Sequence, residues 1–183
     1  MTVVGVAAGV TLLLWWTLLF SFFATGKEIL DRLSEIVGLV FPPLMATVVV
    51  AIHRMYGTYT SMVWIVTVAA CVSAVVMFAT DAAVVFGGVP FTRVAMPATV
   101  GALGVVLLPG GVGWLALAYG EIPKALGWLG IGVAILAVGV ILLWARDVDL
   151  LAGRRAPKSF EILASLPVIV AIPAWYIWLG VSL

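Results

Sequence analysis

One histidine, one cysteine and eight carboxylates are the side chains of this 183-residue chain that could ligate a metal, move a proton or attack a substrate. His53 stands alone, followed by Arg54. One imidazole cannot supply both axial ligands of a membrane b-type haem, nor the three protein ligands of a catalytic zinc. Histidine exchanges protons near neutral pH, so His53 is a candidate proton-responsive group. A boundary residue with access to water is the plainer reading. Cys71 has no second thiol, which excludes an internal disulfide and a thiolate cluster; it reads as a small packing residue.

Five carboxylates fall beside long uncharged stretches. Asp81, Asp147, Asp149 and Glu161 lie on one side of the predicted membrane and Glu121 on the other, none at mid-depth. Coupled transporters hold an ionisable group on the path despite its cost, so a pump or ion channel is disfavoured. Asp147-Val-Asp149 offers two ligands to a divalent ion without a third nearby. Beside it, Arg146, Arg154, Arg155 and Lys158 suit an anionic lipid leaflet. There is no glycine-rich phosphate loop, serine elbow or paired thiol. No haem, iron–sulfur or zinc site is expected, and a net charge of +1 argues against nucleic acid as a partner.

The elements that position these groups follow from composition. Sixty-five per cent of the chain is hydrophobic and nine per cent is charged, against about 25 per cent charged in a soluble domain. Six uncharged stretches cover residues 3–24, 36–52, 55–80, 94–120, 125–145 and 162–183. Each approaches or exceeds the ~20 residues that cross a bilayer as a helix. The fold class is all-α, a six-span membrane bundle forming one domain over residues 1–183. The first stretch lacks a preceding basic residue and exceeds a signal core, so it is expected to stay as a membrane helix.

Between the first two spans, Thr25-Gly-Lys-Glu28 has capping-box spacing. Charges at 27, 28, 31, 32 and 35 then oppose Ile29, Leu30, Leu33, Ile36 and Val37. That pattern predicts a short amphipathic helix on the cytoplasmic surface.

Lys27, Arg32, Arg93, Arg146, Arg154, Arg155 and Lys158 share the odd-numbered loops, leaving Arg54 and Lys124 opposite. Basic loops stay in the cytoplasm, which places both termini outside a cell membrane. The aromatic residues agree: Tyr56, Tyr59, Trp64, Trp114, Tyr119, Trp128, Trp175, Tyr176 and Trp178 fall near the outer boundary and Trp144 near the inner one. Trp15 and Trp16 depart from this belt, at the middle of the first span. They are bulky filler, or one ring faces lipid and the other a neighbouring helix, or they form a wall of an apolar ligand pocket.

Pro42 and Pro43 should bend the second span. Pro97 and Pro109-Gly110-Gly111 predict tilt, a kink or a break in the fourth, and Pro167 with Pro173 stand at mid-depth in the sixth. Carbonyls freed at Pro109, Gly110 or Pro167 can line a ligand site, although proline is also routine in membrane helices. Gly5-x-x-x-Gly9, and Gly127, Gly130, Gly132 and Gly139, mark surfaces for close helix contact within or between chains.

Three functions fit. The first is a non-catalytic bundle that binds an apolar or lipid-like ligand, or joins other membrane subunits or itself. The second is a small-solute transporter or channel using the broken helices. The third is an enzyme with carboxylates at the cytoplasmic boundary. Membrane lipids are partners in each. Epitope tags at both ends should be reached by antibody on intact cells; protection of the C-terminal tag overturns the six-span topology.

Overall fold

In long apolar runs the backbone must satisfy its own polar groups, and the described residues of this chain do so by forming helices. The structure is a computed structural model that describes residues 2–57, 61–144, 146–147 and 157–183. Among them the helices are α1 (Thr2–Thr25), α2 (Glu28–Gly38), α3 (Phe41–Tyr56), α4 (Ser61–Val85), α5 (Phe91–Tyr119), α6 (Lys124–Trp144) and α7 (Ser159–Ser182). Six helical segments are long and apolar enough to span a membrane, with α2 and α3 together making the 29-residue segment Glu28–Tyr56.

The helix ends have local causes. Gly26, at φ 66°, carries the chain from α1 into α2 while its N–H bonds Phe22 O at 2.7 Å. A residue with a side chain is strained at that φ. The expected capping box is not formed: the Thr25 hydroxyl donates back to Ser21 O at 2.7 Å, and Lys27 is the residue before α2. Pro42 and Pro43 set the start of α3 rather than bending it. They cannot donate to the carbonyls of residues 38 and 39, so the helix is interrupted at Leu39–Val40.

The break considered for α5 is not formed. α5 runs as one helix through Pro97 and Pro109-Gly110-Gly111, and α7 does the same through Pro167 and Pro173. Each proline removes one donor, but neighbouring helices hold α5 on two sides. Val66 of α4 fills the space over Gly111, and Ala134 of α6 lies against Gly110. Packed between two neighbours, α5 remains helical at the expense of one bond at each proline.

α1 runs antiparallel to α7, and α4 to α5, as paired contacts show. Gly5 meets Gly180 while Gly9 meets Pro173 and Ile177; Gly101 meets Met77 while Gly111 meets Val66. The six long segments close into a ring in the order α1, α7, α6, α5, α4, α3 and back to α1. Its centre is filled by Phe41, Met45, Ile52 and Tyr56 of α3, Leu108 and Leu115 of α5, and Trp175, Tyr176 and Leu179 of α7, all buried. Tyr56, Trp175 and Tyr176, expected at the boundary belt, are thus turned into the core. The Trp175 indole donates to Leu126 O at 3.3 Å. Trp64, Trp114, Trp128 and Trp178 remain exposed.

The tightest joints are made where side chains are missing. A Cβ on Gly180 would lie 2.6 Å from the Val6 nitrogen and 2.7 Å from the Gly5 backbone, and neither can yield. Gly127 meets the Gly113 carbonyl in the same way, at 2.9 Å. Gly132 and Gly139, by contrast, face open space. Gly180→Ala should therefore lower the melting temperature of the detergent-solubilised protein. Gly132→Ala should leave it unchanged or raise it by up to ~1 kcal/mol in stability, from helix propensity alone. Equal behaviour of the two variants would refute backbone contact at the α1–α7 joint.

Candidate functional site

The amphipathic pattern of α2 does form a helix, but it is oriented with its polar side inward. Ile29 is 61% exposed and Ile36 51%, with Leu33 and Val40 completing the same outer stripe. Ser34 is fully buried, and Asp31, Glu35 and Gly38 share its side. Nor does α2 lie across the end of the bundle. A Cβ on Gly38 would sit 3.4 Å from Trp15 Nε1. Those residues stand nearly equal distances from the Gly26–Lys27 link, so α2 folds back antiparallel along the last turns of α1.

This packing brings two carboxylates near that of Glu35. Asp81 enters from α4, and a Cβ on Gly38 would lie 2.9 Å from its Oδ2. Glu35 is within electrostatic range of both Asp81 and Asp31. Ser34 bonds the Asp31 backbone carbonyl at 2.7 Å, not a carboxylate. Among the described residues no cation or hydrogen-bond donor is paired with Glu35 or Asp81. A charge withdrawn from water without a partner is costly, so the cluster calls for a compensating ligand or a proton. Among the described residues no three His, Cys, Asp or Glu side chains converge as a metal site.

A cavity of about 590 Å³ adjoins the cluster, within the range of small-molecule sites. Asp31, Arg32, Glu35 and Ile36 form one wall; Val84, Val85, Val89 and Pro90 form the other. A second hollow, of about 210 Å³, lies between α4 and α5 and is almost wholly apolar, with Ser73 as its polar side chain.

The residues singled out by sequence take varied places. Trp15 touches the Asp81–Gly38 junction, whereas Trp16 stacks on Phe20 with centroids 5.6 Å apart. The Trp16 indole N–H is buried without a hydrogen-bond partner. Neither indole lines the two cavities described. The Pro109 carbonyl packs against Gly130 of α6, Gly110 meets Ala134, and Pro167 is exposed on the outside of α7. These three residues are not gathered into a pocket here.

His53 is a satisfied half-buried residue, its Nδ1 3.1 Å from Thr67 Oγ1 and its ring 4.2 Å from that of Trp64. Arg54 beside it is exposed. Glu161 is buried and accepts the Lys158 backbone N–H at 2.6 Å, so it caps α7. Asp147 is half-buried past the end of α6; Asp149 lies outside the described residues.

Asp31, Arg32 and Glu35 are site residues that spacing alone did not single out. Their signal is that the apolar stripe of α2 reaches the next span after only Leu39 and Val40. Such a stripe can face lipid as readily as protein. No family model, curated protein or solved structure matches the chain.

Asp81→Asn keeps the shape and removes a charge that lacks a partner. It should leave stability unchanged or raise it, on the order of 1 kcal/mol, in thermal unfolding in detergent near neutral pH. A clear loss instead would show that the carboxylate is already compensated.

Proposed function

We propose that this chain is a multi-pass membrane protein, with both termini outside the cell, that binds a lipid-like amphiphile without chemical turnover. One observation carries the reading: a cavity charged on one wall and apolar on the other lies beside a helix whose hydrophobic stripe points outward. In water an amphipathic helix hides its apolar side; the inverted orientation of α2 fits lipid as its surroundings. On this reading α2 is immersed in the cytoplasmic leaflet rather than resting on its surface, and its acidic side faces the protein.

Catalysis at the boundary has less support. Glu161 is engaged as a cap, and Asp81 sits against Gly38 and an indole rather than beside a nucleophile. Transport through broken helices has less support, since α5 and α7 each run as one helix. A different transport reading gains from the proximity of Glu35 and Asp81, because inward-facing carboxylates are the groups that coupled carriers use.

Two measurements separate these readings. Native mass spectrometry of protein taken gently from its membrane should show an amphiphile adduct, reduced in Trp15→Leu, whose parent ring supports the Asp81–Gly38 junction. Recovery of bare protein alone contradicts ligand binding. Cation-driven solute uptake into proteoliposomes, lost in Asp81→Asn, would move the assignment to transport.

A further inference from the structure

The cavity between α2 and the end of α4 carries both signs of charge, and this selects among amphiphiles. Resting on the lipid-binding reading above, we infer that it takes a phospholipid headgroup with a primary ammonium beside its phosphate. The ammonium meets Asp31 and Glu35, and the phosphate meets Arg32.

Four observations converge on that class. First, Asp31 and Glu35 stand one turn apart on the same wall, with Arg32 between them in sequence. A zwitterionic group with adjacent cation and anion matches this spacing, whereas a purely anionic headgroup would meet two carboxylates for one guanidinium. Second, Asp81 stands within electrostatic range of Glu35, and among the described residues no donor is paired with either. A primary ammonium brings three N–H donors and needs no closed shell of ligands. The described acids form no metal site, which such an ammonium does not require.

Third, Ile36 belongs both to the cavity wall and to the exposed stripe of α2. The cavity therefore opens on the apolar surface, where acyl chains can leave it without crossing protein. Fourth, Val84 and Val85 close α4 and Asp31 lies in the first turn of α2. The polar wall thus sits at the end of the spans, at the depth where headgroups meet chains. A quaternary ammonium matches the charge but offers no N–H to the carboxylates, so methylation of the amine should weaken the fit.

The test uses the full chain in nanodiscs made from equal parts phosphatidylethanolamine, phosphatidylcholine and phosphatidylglycerol, followed by native mass spectrometry of retained lipid. Ethanolamine lipid should be enriched over choline lipid by about tenfold, the scale of one charge-assisted hydrogen bond. Mono-, di- and trimethylated amines should be retained in falling order, a series that needs no variant. Glu35→Gln should abolish the preference for the amine, and Arg32→Gln should reduce total retention. Free ethanolamine at millimolar concentration should not displace the lipid. Retention without headgroup preference, or preference for the glycerol lipid, overturns this inference and leaves lipid binding standing. Displacement by free ethanolamine also overturns it, assigning the site to a soluble amine. If no lipid is retained at all, the broader function fails as well.

Discussion

Between helices that are apolar on nearly every face, cohesion depends on how closely they approach. In this bundle the approach is set by residues without side chains at the crossing points. Gly5 and Gly180 bring α1 against α7, Gly104 receives Ser73 between α5 and α4, and Gly113 with Gly127 joins α5 to α6. At each contact the obstacle to a Cβ includes backbone or a side chain packed directly over the glycine. These contacts hold three of the six neighbouring pairs in the ring.

Close contact also explains the fate of the prolines. A proline in a loosely held helix invites a bend, because water or a side chain can take the freed carbonyl. α5 has no such latitude. Its glycines, read in sequence as a breaking signal, serve as seats for Val66 and Ala134, and the Pro109 carbonyl is pressed on Gly130. The same glycine-rich segment that weakens the helix internally strengthens its grip on both neighbours.

The charged cavity follows from the same economy of space. Gly38 is small enough for α2 to lie against Trp15 and the Asp81 carboxylate at once. Seating the helix there turns Asp31, Ser34 and Glu35 inward and leaves Ile29, Leu33 and Ile36 outside. Polar residues are brought to the protein and apolar ones to its surroundings, the reverse of a water-soluble fold. That reversal gives the proposed ligand site its two-sided character.

The residues alone determined that the long apolar segments are helical and how many of them are long enough to cross a bilayer. Those features depend on local composition and on the backbone's need for internal hydrogen bonds, which act on every run of apolar residues independently. They also determined the close-contact role of Gly5 and Gly9, because a missing side chain is local information. What only the tertiary structure decided is which way each face turns. Tyr56, Trp175 and Tyr176 share their composition with exposed Trp64 and Trp178, yet they are buried because α3 and α7 point them at the ring's centre. Gly132 resembles Gly130 in sequence but faces nothing. Glu35 and Asp81 are 46 positions apart, and no periodicity links them; the fold-back of α2 beside α4 does. The spacing of a helix defines its faces, but its neighbours decide which of them is inside.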